Sequence, residues 1–358
     1  MSEKQSFDSN YFETSPKKLG FSFPAEWEPQ EAMWLSWPHK EASWPGKIES
    51  IYAPYAQFIA AVAEGQKVRI NILNEAMKAL ALSYLEEANA KLKNVEFYFN
   101  PTNDAWCRDH GPAFLLHQGH KEKAVVDWGY NAWGDKYPPY DLDDVVPTRI
   151  AKEFGLKLFT PNIVMEGGSV EFNGKGTVLT TTACLLNENR NPHLTKEQIE
   201  TYLKEFYGQE QVLWLGDGIM GDDTDGHIDD ITRFVNENTV LTVVEENQED
   251  ENYEILQENL ETLRSLRLPD GSPLNIIELP MPAAVIYDDT RLPASYANFY
   301  IANEVVIVPI FNDANDQRAL DIIQSCFPTR KVVGIDSVDI IWGLGSFHCL
   351  SQQEPALL

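Results

Sequence analysis

The segment GLGSFHCLSQQEP, residues 343–355, carries the cysteine best placed to act as a nucleophile. Its glycines leave space beside the backbone, so that a substrate can approach the Cys349 thiol. His348 precedes this cysteine, but neighbouring side chains on a strand point to opposite faces, so we expect a base from elsewhere in the chain. The alternative is that Cys349 is a small buried apolar residue, as most lone cysteines are.

A second segment, GDDTDGHIDD at residues 221–230, combines an imidazole with several carboxylates. Asp223, Asp225, His227 and Asp229 alternate along it, so an extended chain would place them on one side. Such a concentration of negative charge is unfavourable unless a cation sits there. The cation could be a metal ion or an organic cation beside which His227 transfers protons. An acidic surface loop is the third alternative.

Familiar metal-binding and cofactor-binding motifs do not fit the sequence. His227 has no second histidine within helical reach, so the HExxH pattern fails. Aligning Gly226 with the turn glycine of a calcium-binding loop puts Gly221 at the first ligand position and Thr232 at the position of the bidentate Glu. CxxC pairs and phosphate-binding glycine loops are also missing. We therefore expect neither a metal nor another cofactor.

Two further segments supply an aromatic ring and isolated carboxylates. In NDAWCRDHGP, residues 103–112, Trp106 offers a cation–π face and Asp109 offers two parallel acceptors, although surface ion pairs are the alternative. In MEGGSVEFNGKGT, residues 165–177, Glu166 precedes paired glycines and could line a cleft. A thiol that attacks a planar cation needs carboxylates to hold its nitrogens and a histidine to protonate the leaving amine. The combination predicts guanidinium hydrolysis.

Composition excludes several other classes of protein. The 358 residues contain 28 Lys and Arg against 55 Asp and Glu, which gives a net charge of −27. A nucleic-acid-binding protein would show a basic stripe, and an acidic chain is repelled by anionic lipid. The sequence has no apolar run long enough to span a membrane and begins with a polar segment unlike a secretory signal. Four cysteines are too few for a disulfide scaffold, so we expect the reducing cytoplasm.

The elements that must position these residues follow a modular pattern. Helical spacing predicts helices at residues 51–63, 73–92, 196–207, 253–266 and 317–327. Short strand-like runs bounded by Gly, Pro, Asn or Asp lie between them, and Asn173–Gly174 indicates a hairpin. A helix followed by two or three strands, repeated about five times, indicates a modular α/β fold. We expect a single domain over residues 1–358 because no linker interrupts it.

The ordered motifs resemble the agmatine deiminases, within the wider group that includes the bacterial-type peptidyl-arginine deiminases. The resemblance covers nearly the whole chain, from WLSWP at residues 34–38 to QQEP at residues 352–355. It implies a pentein fold, with five αβ modules around a pseudo-fivefold axis and the site in the central channel. The motifs that carry it are NDAWCRDHGP, DWGYNAWG, MEGGSVEFNGKGT, CLLNENRNP, GDDTDGHIDD, SYANFYIAN and GSFHCLSQQEP.

The resemblance also implies a role for each residue of the central motifs. Cys349 corresponds to the nucleophile and His227 to the general acid and base. Asp229 and Asp109 correspond to the two carboxylates that bind the guanidinium group, and Glu166 corresponds to the Glu that orients the histidine.

Three further residues are implied to lie on the substrate-binding side. Trp106 corresponds to the aromatic residue near the substrate, and Asn298 falls in a segment that the family places near the pocket. Asp225 stands where the family often has Asn in TNGH, and it adds a carboxylate. Leu344 replaces a glycine near the nucleophile. These differences bear on the distal half of the pocket, which selects the substrate.

The expected activity is hydrolysis of agmatine, a small cationic guanidino compound, to N-carbamoylputrescine and ammonia in putrescine biosynthesis. We expect a cytoplasmic homodimer or larger homo-oligomer that binds neither nucleic acid nor membranes. One alternative keeps the chemistry and converts peptidyl-arginine to citrulline. Another is a metal-dependent hydrolase built on the cluster from Asp223 to Asp229, and the last is a non-catalytic acidic binding protein.

Overall fold

The computed structural model describes residues 9–119 and 121–358. No helix in these two ranges is long and apolar enough to cross a membrane. The strands, in chain order, are β1 (Phe21–Ser22), β2 (Gln30–Ser36), β3 (Lys67–Asn71), β4 (Val95–Tyr98), β5 (Ala113–His117), β6 (Lys123–Val126), β7 (Lys157–Phe159), β8 (Val170–Phe172), β9 (Thr177–Thr181), β10 (Gln211–Leu215), β11 (Thr232–Asn236), β12 (Thr239–Val244), β13 (Asn275–Pro280), β14 (Ile286–Tyr287), β15 (Thr290–Arg291), β16 (Tyr300–Ile301), β17 (Val305–Ile310), β18 (Lys331–Asp336) and β19 (Ser351–Pro355).

Nine α-helical segments lie between these strands in the described ranges, and three of them are single turns of four residues. They are α1 (Ile48–Val62), α2 (Glu75–Glu87), α3 (Cys107–His110), α4 (Ala132–Asp135), α5 (Val146–Phe154), α6 (Thr182–Leu185), α7 (Lys196–Phe206), α8 (Tyr253–Ser265) and α9 (Asp316–Cys326).

The strands form five sheets that share one topology, and β14 and β15 form a separate hairpin. In each sheet an antiparallel pair is followed by a parallel neighbour: β5-β6-β7, β8-β9-β10, β11-β12-β13, β16-β17-β18 and β19-β2-β3. A parallel pair needs a crossover, which α5, α7, α8, α9 and α1 supply in that order. The repeated unit is therefore a ββαβ module, as the pattern of helices and strands predicts.

The fifth module joins the two ends of the described chain. Strand β19 pairs antiparallel with β2, so that Ser351 lies opposite Leu35 and Gln352 lies opposite Trp34. Strand β2 then pairs with β3, and β3 with β4. The side chains of β2 enter cores on both faces of the sheet, Met33 and Leu35 with residues of α1 and Trp34 with residues of β5, β6 and α5, so that the run QEAMWLS is buried along nearly its whole length.

The helices form where the apolar spacing and the caps predict them. In α1, Ile51, Tyr55, Phe58, Ile59 and Val62 recur at helical spacing and are all fully buried. The capping box predicted at the start of α7 is present, because the Thr195 and Gln198 side chains bond each other's backbone N–H groups.

Two helices differ from the sequence prediction. Helix α2 is shorter at both ends than the predicted range of residues 73–92, since Asn74 caps its first turn. Helix α5 is not predicted at all, although Pro147 in its first turn and Gly155 after its last residue are typical helix boundaries. With only nine residues, its apolar pattern is too short to stand out from the surrounding loops.

Each module is preceded by a short segment that leads into its first strand. We call these five stretches the lead-in segments; they comprise residues 106–112, 166–169, 227–231, 295–299 and 345–350. Two of them contain a 3-10 turn, at Gly167–Ser169 and at Ile228–Asp230. Because the modules are equivalent, their lead-in segments occupy equivalent places in the fold. All of the candidate site residues except Asp225 lie on these segments.

Candidate active site

The Cys349 thiol lies in a turn just before β19 and is buried. Asn298 donates from Nδ2 to Cys349 Sγ at 3.0 Å and to Asp230 Oδ1 at 2.9 Å. The Asn298 Oδ1 atom accepts from the backbone N–H groups of Ser346, His348 and Cys349. Asn298 therefore fixes both the turn and the thiol.

The surroundings of Cys349 favour the neutral thiol. Burial raises its pKa well above the ordinary value, and the carboxylates of Asp229, Asp230 and Asp109 act in the same direction. The hydrogen bond from Asn298 opposes this shift. A cation placed beside Cys349 would offset the carboxylates and favour the thiolate.

Asp229 stands next to the thiol, with Oδ2 at 3.6 Å from Cys349 Sγ. The same oxygen accepts from His348 Nδ1 at 2.6 Å. Burial by itself raises the pKa of Asp229, but the hydrogen bond and charge of His348 bring it below its ordinary value. Asp229 Oδ1 is buried and makes no hydrogen bond within the described residues. A buried carboxylate oxygen without a partner is costly, so this atom is suited to receive a ligand donor.

Asp109 is the second carboxylate of the site. Its Oδ1 accepts from the backbone N–H of Gly168 at 2.8 Å, and its Oδ2 accepts from Trp133 Nε1 at 3.0 Å. Burial raises the pKa of Asp109 to about 6, although the neighbouring His227 opposes the shift. Asp109 is thus ionised only when the pH exceeds about 6.

His227 lies between the two carboxylates. Its Nδ1 is 3.9 Å from Asp109 Oδ1 and 4.0 Å from Asp229 Oδ1, and its Nε2 is 4.0 Å from Glu166 Oε2. Burial disfavours the imidazolium, but the carboxylates, Asp109 first among them, raise the pKa of His227 well above the ordinary value. His227 is therefore placed to donate a proton.

Glu166 connects His227 to a buried arginine. Glu166 Oε1 accepts from Arg190 Nε at 2.6 Å, while its Oε2 faces the imidazole. Arg190 also donates to Asp225 Oδ2 at 2.7 Å and to the Thr224 carbonyl at 2.8 Å. The guanidinium group of Arg190 thus holds the Glu166 carboxylate next to the His227 ring.

Two glycines give the reacting groups room to approach one another. A Cβ atom at Gly168 would lie 2.6 Å from His227 Nδ1 and 2.9 Å from Asp109 Oδ1. A Cβ at Gly345 would lie 2.6 Å from the Trp106 ring and 3.0 Å from Cys349 Cβ. Any larger residue at either position would displace a group of the site.

A pocket of about 240 Å³ opens beside Cys349. Trp106, Asp109 and Cys349 line its reacting end, and the Trp106 ring stacks on Trp44 with centroids 5.1 Å apart. Six further lining residues belong to other parts of the chain, and we call them the distal wall; they are Asp104, Tyr137, Asp223, Thr290, Leu292 and Trp342. None of the described residues that line the pocket is Lys or Arg.

The distal wall carries two further carboxylates. Asp223 accepts from the Tyr137 hydroxyl, and burial raises the pKa of this carboxyl. Asp104 accepts from the Ser43 hydroxyl at 2.6 Å and pairs with Lys40 at 3.3 Å. The pocket lining therefore carries two carboxyl groups besides Asp109, and Asp104 is already paired with a lysine.

The segment from Asp223 to Asp229 is not extended, contrary to the sequence expectation. Asp225 and Gly226 have φ values of 69° and 91°, which turn the chain between the acids. Asp225 consequently points away from the pocket, and its carboxylate binds Arg190, Asn189 and Lys136. The structure brings Asp229 and His227 together with Cys349 and Asp109, but it does not bring Asp225 to the pocket.

Two groups in the described ranges have donor atoms close enough to hold a metal ion. They are Glu166, Cys184 and His227, and Asp229, Asp230 and Cys349. The four residues that the metal hypothesis requires, Asp223 to Asp229, do not form either group. Glu166 is already paired with Arg190 and Asp229 with His348, so these donors suit an organic cation better than a metal ion.

Several residues of the site are not predicted from the sequence. Asp230 directly follows Asp229, and His348 directly precedes Cys349, so the motifs contain them without indicating what they contact. Glu26 has its Oε2 at 2.8 Å from His348 Nε2, and its segment carries no chemical signal of its own. Arg190 lies in the motif CLLNENRNP, which does not indicate what the side chain contacts. Asn298, whose family position suggests substrate binding, contacts the thiol itself.

Five ββαβ modules, with a cysteine, a histidine and two carboxylates where their lead-in segments meet, define the pentein class of α/β protein. Within this class the chain belongs to the family described as Porphyromonas-type peptidyl-arginine deiminase, because that family's model matches residues 22–355. The match confirms the family and the fold class that the ordered motifs imply.

Relatives named agmatine deiminase are similar to the chain over nearly its full length. The agmatine deiminase of Ectopseudomonas mendocina is 35% identical, covering 96% of this chain and 98% of that protein. The structure of the Enterococcus faecalis agmatine deiminase superposes with a TM-score of 0.90 at 34% identity, covering 96% and 98% of the two chains. A cysteine-to-serine variant of the C. jejuni agmatine deiminase, solved with substrate bound, gives a TM-score of 0.85 at 38% identity and covers 94% and 97%.

Proposed function

We propose that this protein is an agmatine deiminase, a hydrolase that converts agmatine to N-carbamoylputrescine and ammonia. One observation carries the proposal: the Cys349 thiol lies in an acidic pocket beside Asp229, whose Oδ1 is buried without a partner in the described residues. A guanidinium group offers planar N–H donors that match carboxylates in parallel pairs. The relatives named agmatine deiminase support this choice of substrate.

In the first half of the reaction, Asp109 and Asp229 hold the guanidinium nitrogens while Cys349 attacks. The bound cation lowers the pKa of the thiol, which the carboxylates otherwise raise, so that the thiol releases its proton to solvent. The thiolate forms a C–S bond, and the C=N electron pair moves to nitrogen. His227 then protonates one amino group, the C–N bond breaks and ammonia leaves, so that a thiouronium adduct remains on Cys349.

In the second half, the neutral His227 takes a proton from a water molecule that attacks the adduct carbon. The resulting tetrahedral intermediate collapses, the C–S bond breaks and the Cys349 thiolate leaves with its electron pair. The hydroxyl group of the intermediate becomes the ureido carbonyl and gives up its proton, which restores the protonated Cys349 thiol. The ureido product is released. Glu166 and Arg190 hold His227 in place through both halves.

The distal wall supports agmatine over arginine. The primary amine of agmatine is a cation, and Asp104 and Asp223 are carboxylates that line this wall. The α-carboxylate of free arginine would meet the same two acids, without a Lys or Arg among the described lining residues. A peptidyl-arginine would place neutral backbone there and leave the acids without a cation.

The finer expectations belong to the same proposal. The enzyme would act in putrescine biosynthesis, in the cytoplasm, as a single domain that assembles into a homodimer or larger homo-oligomer. It would need no metal or cofactor and no nucleic-acid partner. Size-exclusion chromatography with light scattering would test the assembly, and activity in excess chelator would test the independence from metal.

A product assay tests the central proposal. Agmatine, free arginine and an arginine peptide are compared by release of ammonia and of the ureido product, with Cys349→Ala as the control for contaminating activity. We expect turnover of agmatine at least about a hundredfold more efficient than that of arginine, given the charge mismatch. Preference for the arginine peptide would instead support a peptidyl-arginine deiminase.

A further inference from the structure

The short segment α4, which carries Trp133, is wound in the left-handed sense. Its four residues, Ala132 to Asp135, have positive φ values of 49°, 57°, 90° and 62° in order. Ala132, Trp133 and Asp135 each carry a Cβ atom, which makes this region of the backbone unfavourable, and successive residues rarely adopt it. Backbone strain of this kind is concentrated at functional sites. The strain therefore indicates a functional constraint on the position of Trp133.

Two asparagines hold the left-handed turn in place. The Asn131 Oδ1 atom accepts from the backbone N–H of Gly134 at 2.8 Å, and the Asn131 carbonyl accepts from that of Asp135 at 2.7 Å. Asn131 Nδ2 donates to the Asn189 carbonyl at 3.0 Å. A Cβ atom at Gly134 would lie 2.5 Å from Asn189 Nδ2, so the turn packs directly against that side chain. These contacts keep the four residues in the strained conformation.

The turn directs the Trp133 indole towards Asp109. Its Nε1 donates to Asp109 Oδ2 at 3.0 Å, and the ring is buried and lines the pocket. Trp106, Tyr130 and Tyr137 contact the ring edge to face, with centroids at 6.5, 5.6 and 5.8 Å. The ring contacts and the hydrogen bond thus support the same orientation of the side chain.

Burial of the indole does not by itself produce such a bond. Trp37 and Trp128 are also buried, and the Nε1 atom of each has no hydrogen-bond partner within the described residues. Trp34 does donate, to Glu354 Oε2 at 2.8 Å, but these two residues are not among those that line the pocket. Trp133 differs from all three in its partner, a carboxylate at the reacting end of the pocket.

The bond gives each oxygen of Asp109 one donor from the protein. Oδ1 accepts from Gly168 and Oδ2 accepts from Trp133. A carboxylate oxygen can accept about two hydrogen bonds, so each oxygen keeps capacity for one N–H of a planar guanidinium group. Without the indole N–H, Oδ2 would keep no donor among the described residues, and the carboxylate would be freer to rotate.

We propose that Trp133 is a positioning residue that fixes the Asp109 carboxylate for guanidinium binding, and that the left-handed turn at residues 132–135 delivers its indole N–H to that carboxylate. The effect of Trp133 on agmatine rests on the proposed function. The bond between the indole and Asp109 does not depend on the substrate and is tested separately.

The bond is tested by NMR on the full-length protein with ¹⁵N-labelled tryptophan. The Trp133 ring signal is assigned by its loss in Trp133→Phe, or through bonds to the backbone if that variant does not fold. We expect Asp109→Asn, which replaces a charged acceptor by a neutral one, to move this signal. Glu171→Gln, a change in a buried carboxylate that bonds Arg233, should leave it in place. A signal that responds equally to both variants, or to neither, overturns the bond.

The role in the reaction is tested by Trp133→Phe, which keeps an aromatic ring and removes the donor. We expect kcat/KM for agmatine to fall about 10- to 100-fold, as loss of a hydrogen bond to a charged group implies. We also expect kcat itself to fall, because a rotating carboxylate aligns the guanidinium carbon less well with the thiol. Trp34→Phe is the matched control, since it removes an indole donor from the buried Glu354 carboxylate. Equal losses in the two variants overturn the positioning role.

A double-mutant cycle separates positioning from packing. If Trp133 acts through Asp109, Trp133→Phe should change kcat/KM by less than about threefold in protein that already carries Asp109→Ala. A packing role would give the same loss in both backgrounds, and that result overturns the proposal. Wild-type protein that does not turn over agmatine, but gives the expected NMR result, would refute the proposed function and leave the bond to Asp109 standing.

The contribution of the turn is tested by Gly134→Ala, whose Cβ atom would collide with the Asn189 side chain. Gly155→Ala is the matched control, because Gly155 has a φ of 63° but nothing lies within 4 Å of a Cβ added there. Both variants should lower Tm through backbone strain, whereas only Gly134→Ala should lower kcat/KM, by about as much as Trp133→Phe. An unchanged kcat/KM in folded Gly134→Ala overturns the role of the turn; if this variant does not fold, Trp133→Phe and the cycle decide.

Discussion

The reacting end of the pocket and its distal wall are built from different parts of the modules. Asp109, Glu166, His227, Asn298 and Cys349 each lie on a lead-in segment, and all five are buried. The distal wall instead comes from loops that differ from module to module, and its Tyr137 is 39% exposed. We therefore expect the chemistry to depend on the equivalence of the five modules and the choice of substrate to depend on their differences.

The β14–β15 hairpin shows how the distal wall departs from the repeat. It lies outside the five sheets, and Thr290 of this hairpin lines the pocket. Tyr287 packs on Trp342 with ring centroids 4.0 Å apart, which joins the hairpin to the loop before Cys349. Changes in this wall can alter substrate preference without moving a reacting group. Substitutions at the reacting end should accordingly lower kcat, whereas substitutions in the distal wall should mainly raise KM.

The largest effect is expected at the thiol. Cys349→Ala removes the nucleophile, so we expect kcat for agmatine to fall by on the order of 10⁴-fold or more. Agmatine binding should remain measurable by isothermal titration calorimetry, because the carboxylates and the distal wall are intact. Appreciable turnover by this variant would contradict covalent catalysis.

The next largest effect is expected at Asp229, one of the two carboxylates proposed to bind the guanidinium group. Asp229→Asn keeps the size of the side chain but leaves the guanidinium and His348 without their shared anion. We expect kcat/KM to fall about 10²- to 10³-fold, since breaking a buried charge pair is strongly destabilising. Steady-state kinetics of Asp229→Asn and Glu171→Gln would be compared, since both changes keep the side-chain size. Glu171 is a buried carboxylate that bonds Arg233 and the Phe234 backbone instead of the thiol or His227. Equal losses would argue against a specific role for Asp229.

The pH dependence should report on Asp109. Its pKa is raised by burial to about 6, and only the ionised carboxylate attracts the guanidinium group. As the pH falls through 6 the carboxylate gains a proton, so kcat/KM should decrease, approaching tenfold per pH unit below that value. Asp229 does not contribute here because its pKa lies below the ordinary value. A profile that is flat between pH 5 and pH 7 would exclude this role of Asp109.

A smaller effect is expected at the distal wall. Asp223→Asn removes one carboxylate from the position proposed for the primary amine, so KM for agmatine should rise about tenfold while kcat stays within about twofold. Tyr137→Phe is the matched control, because it removes the hydroxyl that donates to Asp223 but keeps the charge. If Asp223→Asn lowers kcat as strongly as KM rises, the two ends of the pocket are not separable.

The sequence predicts which residues the fold brings together at the candidate site, because the proposed chemistry restricts their types and each lies in a recognisable motif. Cys349, His227, Asp229, Asp109 and Glu166 come from four separate motifs, and the fold brings them together through its equivalent lead-in segments. The modular α/β pattern could also be predicted, because strands and helices recur in the same order along the chain.

The contacts around the reacting residues could not be predicted, because they join distant parts of the chain. Glu26 and His348 are separated by 322 positions, and neither segment indicates the other. Arg190 reaches Glu166 across 24 residues of loops and strands. The distal wall likewise combines Asp104, Tyr137 and Trp342 from parts of the chain that are far apart in sequence.

Asp225 illustrates how backbone geometry overrides an alternating pattern, and it gives the smallest expected effect. Its positive φ turns the carboxylate towards Arg190 and Lys136, and those cations lower its pKa against the effect of burial. Asp225→Asn should change kcat/KM for agmatine by less than about threefold, because partly exposed ion pairs contribute little. Arg190 would keep its bonds to Glu166 and to the Thr224 carbonyl. A tenfold rise in KM, with kcat unchanged, would place Asp225 in the substrate pocket after all.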